Sequence, residues 1–405
     1  MRRFAPVIAG LLALTLAGAA CTKTSSSTQD AQAKQALLDQ AAAKNPGAIL
    51  RSSLDKILGE HVALIADAAA AQAQGRKADV AAATDLLLGQ NSIDLATAFG
   101  TVYPDAQKSF YSLWQKHIGF FIAYGAAAAK NDAAGKTKAV NDLNTYAATF
   151  AAFLHGQNDQ LPASAVESLF KAHAATLTAV IDAEAAKDYP KAYAALVAAY
   201  EHMDMIGKAL AVAIRAQHPE KVAGRPDSKP AELREQLDMA LEEHSILAYG
   251  LISAIIGKRA PDAAAAVDAL NTNASNLASI IGTQFGSGQS EFGSAWAKQI
   301  PLFEGLARAI ATKNANAEGT NRDALATAAD GIGKVLNGLD SGLGAAEMRD
   351  AVQLHVLSIK EAADYMVKGK FDVAYGALSR AIGHMEDLAA AIADAIATKF
   401  PTKFV

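Results

Sequence analysis

Residues 192–221 read AYAALVAAYEHMDMIGKALAVAIRAQHPEK, and residues 374–403 read AYGALSRAIGHMEDLAAAIADAIATKFPTK. Tyr193 aligns with Tyr375, His202-Met203 with His384-Met385, Ile214 with Ile396 and Pro219 with Pro401, all at one offset (384 − 202 = 182). A long fixed-period echo marks an internal repeat. Outward from this stretch, Ala231-Glu232-Leu233-Arg234 restarts what Ala48-Ile49-Leu50-Arg51 begins. Asp238 then stands for Asp55, Glu243-His244 for Glu60-His61, Phe292 for Phe110 and Trp296 for Trp114. The body is therefore read as one unit written twice, residues 48–222 and 231–405. The segment between them, 223–230 (AGRPDSKP), carries the proline and glycine of a domain boundary.

Within the first unit, Leu50, Leu54, Ile57, Leu58, His61 and Ile65 recur at helical spacing, and Gly75 ends the run. Residues 78–102 make the next segment, closed by Tyr103-Pro104. Phe110, Trp114, His117, Phe121 and Tyr124 mark a third stripe, residues 138–154 a fourth, and Pro162 opens a fifth. Lys187-Asp188-Tyr189-Pro190 turns into the sixth. The expected fold is all-α: two tandem antiparallel helical bundles of about six helices each. With alanine dominant, aromatics at 6% and charged residues at 19%, close packing of small-faced helices is favoured. The net charge of −4 is spread along the chain, without the clustered basic face that nucleic acid requires.

The N-terminus reads as a targeting segment. Arg2 and Arg3 precede an apolar run over residues 7–16 that is too short for a mature membrane span. Cys21, the single cysteine, follows small residues as in a bacterial lipobox, with Gly18 where that pattern usually has Leu. Residues 1–21 are thus expected to be a lipoprotein-type signal sequence with Cys21 lipidated, the alternative being ordinary cleavage and secretion. Residues 22–47, rich in Ser, Thr and Gln, are expected to form a flexible tether. The expected location is extracytoplasmic, anchored to the cell membrane.

Seven of the nine histidines fall on four repeat-related positions: His61 with His244, His173 with His355, His202 with His384, and His117 with Gln299. At about 1.5 Å of rise per residue, His61, His117, His173 and His202 all come near mid-height of their helices. They are expected to meet in one layer, as bundles build metal sites from inward-facing side chains. Imidazole suits Cu, Zn or Fe, or the iron of haem, and does not choose among them. The plainer reading is that each imidazole is a core residue bonded to Tyr200, Tyr124 or a carbonyl. Glu60 and Glu243 could accept an imidazole N–H, or face solvent. Trp114 and Trp296 could wall the pocket, and Gln299 would weaken or open the second site. Met203 and Met385 are more often core than ligand. Arg51/Asp55 and Arg234/Asp238 have the spacing of helix-surface ion pairs.

No HExxH, CxxC, nucleophile elbow or phosphate loop is present. A di-iron centre would need Glu-x-x-His, yet Phe170 and Ala199 precede His173 and His202 by three. The runs WQKHIGFFIAY (114–124) and AYxxxxxAYEHM (192–203), with QxPxK at 217–221, resemble a group of exported bacterial helical proteins. Some of those are labelled through an attached copper amine oxidase N-terminal-like domain, which is absent here. The resemblance implies an extracytoplasmic, duplicated, histidine-bearing module. It transfers no catalytic residues, and the label says nothing about copper binding by the helical part. The function expected is non-catalytic binding of a transition metal or haem by an envelope protein. The alternative is a structural module with core histidines and an envelope protein partner. A third reading, an oxidase at the open second site, lacks an accompanying acid–base carboxylate pair.

Overall fold

A computed structural model describes residues 45–404. The expected signal sequence, Cys21 and the tether up to residue 44 lie outside the described residues. The protein is all-α, with no strand among the described residues. The first half contains α1 (Pro46–Ala73), α2 (Lys77–Leu86), a π-helical segment (Leu87–Asn91), α3 (Ser92–Val102), α4 (Gln107–Ala128), α5 (Ala133–Gln157), α6 (Ala163–Ala186) and α7 (Tyr189–Gln217). The second half contains α8 (Lys229–Ile256), α9 (Ala260–Phe285), α10 (Gln289–Ala297), α11 (Gln299–Ala311), α12 (Ala315–Leu339), α13 (Ala345–Val367) and α14 (Phe371–Lys399).

Helix ends follow from local chemistry. Asn45 caps α1 by accepting from the Gly47 and Ala48 amides, with Pro46 at the first helical position. Pro46 and Gly47, expected in the tether, therefore belong to the helix. Asn45 is fully buried because its Nδ2 donates to the Arg225 carbonyl at 3.1 Å, fixing the inter-repeat segment against the start of α1. Lys229-Pro230, expected in that segment, open α8. Asp132 caps α5 and Asp188 caps α7.

The two halves depart from one another in two helices, each for a readable reason. Residues 78–102, expected as one helix, are broken by a π segment over Leu87–Asn91, with Gly89 at φ −93 and ψ −108. The offset between halves is 183 at Asp79/Asp262 (262 − 79) but 182 at Asn91/Asn273 (273 − 91). The first half thus carries one extra residue between these points, and a π turn is how an α-helix absorbs it. Register is regained at once: Asn91 donates to the Ile57 carbonyl at 2.9 Å and Asn273 to the related Ala240 carbonyl at 2.8 Å. The second departure is Pro301, which stands where the first half has Gly119. Lacking an N–H, it leaves the Ala297 carbonyl without its helical donor. The counterpart of α4 is accordingly divided into α10 and α11.

In the first half α1 is the axis, touching α4, α6 and α7, and α8 has the same place against α11, α13 and α14. Both are buried around most of their circumference, as an axial helix must be. That explains why α8 is long and apolar enough to cross a membrane by composition, although 72% of its apolar window is inside the protein. The halves meet through α1 on α8, α7 on α9 and α2 on α14, and one apolar core runs across both.

Candidate metal site

Three of the four histidines expected in the first half converge. α1 supplies His61, α4 His117 and α6 His173, and none is more than 1% exposed. Their ring centroids lie 5.0 Å (61–117), 5.8 Å (61–173) and 6.2 Å (117–173) apart. One nitrogen of each comes within 4.8 Å of the others, a group that could hold a metal ion. Three nitrogens around one ion at 2.0–2.1 Å would sit about 3.5 Å apart. The His61 and His117 Nε2 atoms, at 3.3 Å, are already near that spacing. His173 is the ring that must swing inward.

The hydrogen bonding leaves these nitrogens for one another. His117 Nδ1 lies 2.5 Å from the Trp114 carbonyl and donates to it, so its Nε2 presents a lone pair to the centre. His61 Nδ1 and both nitrogens of His173 have no hydrogen-bond partner in the protein. An orphaned buried polar group costs about 1–3 kcal/mol, which a ligand would relieve. Tyr124 and Tyr200, the partners of the plainer reading, are engaged elsewhere: Tyr124 donates to Asp182 at 3.0 Å and Tyr200 to Glu242 at 2.6 Å. Burial holds all three imidazoles neutral, with His117 pushed down to about 3 and His61 and His173 well below the usual range, His61 lowered further by His117 and His173 and His173 by His117 and His202. Neutral imidazole is the form that ligates metal.

Aromatic rings seal the cluster. Trp114 lies 4.2 Å from His117 and 5.0 Å from His61, Phe121 5.4 Å from His173, and Tyr146 stacks on His117 at 5.0 Å. Haem gains no support from this arrangement. Tyr146 did not emerge from the sequence. Its signal was available on the α5 stripe Leu143–Tyr146–Phe150, where the second half has Ala328 in place of the tyrosine. Its hydroxyl is buried and unpartnered.

His202 is not a member of this group. The buried stripe of α7 runs through Ala199, Met203, Ile206 and Leu210, and its neighbour His202 is turned about 100° away. His202 Nε2 instead meets the Leu169 carbonyl of α6 at 2.9 Å. His384 is likewise half-buried beside a fully buried Met385, so both methionines are core residues. Glu60 and Glu243 do not accept from an imidazole. Asn91 Nδ2 donates to Glu60 at 3.3 Å, and Asn273, its counterpart, bonds Glu243. His155 and Asn337, also repeat-related, both bond a carbonyl six residues on, of Leu161 and Leu343, each at 2.9 Å.

In the second half only two imidazoles meet. His244 and His355 are fully buried, 5.4 Å apart between ring centroids, with Trp296 5.0 Å from His244. Gln299, at the position His117 holds in the first half, is fully buried with its Oε1 unpartnered. Burial lowers His244 well below its usual range and His355 to about 4.

A second group, Asp55, Asp204 and Glu235, also has oxygens within 4.8 Å of one another, but a cation is built in. Arg51, 1% exposed, reaches Asp204 at 2.5 Å, Glu232 at 3.1 Å, and Asp55 and Glu235 at 3.7 Å. The related Arg234 pairs with Asp238 at 3.2 Å and donates to Ser52 at 3.1 Å. These pairs, expected on a helix surface, are instead the buried polar seam where α1 meets α8. Comparison of the chain with protein-family profiles, curated proteins and solved structures finds no match, so the site must be read from its own geometry.

Proposed function

We propose that this is an exported, lipid-anchored helical protein whose first half binds one transition-metal ion through His61, His117 and His173, without catalysis of its own. The observation that carries the reading is the set of three buried, neutral imidazoles, contributed by three helices, with one nitrogen of each within 4.8 Å of the others and the His61 and His117 Nε2 atoms paired with one another at 3.3 Å. Elsewhere in the first half His155 and His202 each meet a backbone carbonyl, whereas His173 meets none. The export and anchoring rest on the N-terminal sequence pattern ending at Cys21. The membrane is then the partner expected through the lipid.

For the second half the structural reading is favoured by a specific feature: two imidazoles and an amide offer too few good ligands, so α8 and its neighbours act as a scaffold. The test is elemental analysis of the purified full chain after equilibration with transition metals and desalting. About one equivalent per chain is expected, lost in His61→Ala and retained in His202→Ala. Equal retention in both variants, or no metal in the folded wild type, overturns the reading.

A further inference from the structure

The charge of the ion is set by what surrounds the three imidazoles. We infer that the ion taken is monovalent copper, Cu(I), held by three neutral nitrogens with no fourth ligand. This rests on the metal-site reading above and narrows it.

The first observation is the absence of a compensating anion at the cluster. The rings packed on the imidazoles are Trp114, Phe121, Tyr146 and Phe170. The charges acting on His61 are those of His117 and His173, and those acting on His173 are of His117 and His202. Glu60, adjacent to His61 in sequence, accepts from Asn91 Nδ2 at 3.3 Å and is not among the charges acting on His61. The desolvation cost of an ion rises with the square of its charge, so a divalent ion costs about four times what a monovalent one does. With neutral ligands only, the divalent cost has nothing to offset it. The second observation is the ligand count. Zn(II) sites take four ligands, or three with a water in the fourth position. Here no fourth His, Cys or carboxylate joins the three-nitrogen group among the described residues, and Trp114 Nε1 is a donor that cannot ligate. Cu(I), a d10 ion, accepts three-coordinate imidazole ligation, which matches the three nitrogens available.

Tyr146 provides the discriminating variant. Its oxygen is the one atom in the aromatic shell that could become an anionic ligand, and a divalent ion would draw on it. A cuprous ion would not.

The experiment titrates the metal-free full chain anaerobically with Cu(I), kept reduced by ascorbate, and separately with Zn(II) and Cu(II). Each is read in competition with a chromophoric chelator, and far-UV circular dichroism confirms folding. Expected are one Cu(I) per chain, bound about 100-fold or more tightly than Zn(II), abolished in His173→Ala and within about threefold of wild type in Tyr146→Phe. Tighter binding of Zn(II) or Cu(II) at the triad, or loss of binding in a folded Tyr146→Phe variant, overturns the cuprous assignment while leaving the metal site standing. If folded wild type takes none of the three ions, the metal-site reading itself falls, and this inference with it.

Discussion

Gln299 and His117 occupy one position in two otherwise parallel settings, and the difference between them is a direct test of the ligand set. Gln299 is fully buried with an unpartnered oxygen, at the position that His117 holds in the first half. We expect Gln299→His to raise metal content from about one to about two equivalents per chain, and a value that stays at one would show that three imidazoles do not suffice there. Arg51 is the other decisive residue. Removing it leaves Asp204 and Glu232 without their buried cation, and breaking a buried pair in this way costs about 3–5 kcal/mol. Arg51→Met is therefore expected to lower the urea midpoint strongly, and a change within experimental error would mean the seam carries no net energy. At this scale the sequence was legible where height along a helix decided the outcome. His61, His117 and His173 were selected by that argument and do converge. It failed for His202, because height says nothing about rotation about the helix axis: the α7 stripe through Met203 had already taken the inward direction.

Among the elements, the turns between helices repeat as faithfully as the helices. Left-handed residues stand at Gly75 and Lys258, Asn131 and Lys313, and Lys187 and Gly369, the members of each pair 182 or 183 residues apart (258 − 75 = 183; 313 − 131 = 182; 369 − 187 = 182). A non-glycine residue in this region pays a steric cost that glycine avoids, partly offset by the chain entropy glycine loses. Lys258→Gly, which copies Gly75, is expected to stabilise the protein by about 0.5–1 kcal/mol, read as a rise in thermal midpoint. A fall would mean that the lysine side chain contributes more than the strain costs. The π segment was recoverable from the sequence only as a one-residue change of offset between Asp79/Asp262 and Asn91/Asn273. Read by periodicity alone, residues 78–102 remain one helix, because a single inserted residue barely disturbs an apolar stripe. The division at Pro301 was equally available, since proline inside a helical run interrupts its hydrogen bonds.

For the whole molecule, the halves are joined by reciprocal polar contacts. Tyr193 of the first half donates to Asp262 of the second at 3.0 Å, Tyr375 of the second donates to Asp79 of the first at 2.7 Å, and Arg259 and Arg76 pair with those aspartates. Near this seam desolvation raises Asp67 to about 7 and Glu184 to about 8. Burial raises Glu235 and Asp238 in the same direction. Folded carboxyls that hold protons above the unfolded values of 3.8 and 4.5 stabilise fully below those values, and that stability is lost as pH rises through 7–8. The buried histidines act oppositely. Their folded values lie below 6.5, so their contribution is present above 6.5 and lost as pH falls toward 3–4. Metal-free protein is accordingly expected to lose thermal stability from pH 6.5 to 8.5, where the carboxyls give up their protons and the histidine contribution is already complete. A melting temperature that climbs between pH 6.5 and 8.5 would contradict the buried, protonated carboxyls. None of this seam was legible in the sequence. Arg51 and Asp55 have the spacing of a surface pair, and the carboxylates that bury them come from helices about 150–180 residues away.

The central claim, one ion held by imidazoles from α1, α4 and α6, is met most directly by X-ray absorption on the metal-loaded full chain. The account predicts a first shell of three nitrogens at about 2 Å with imidazole outer-shell scattering. A shell dominated by oxygen or sulfur, or one lacking the imidazole pattern, would contradict it.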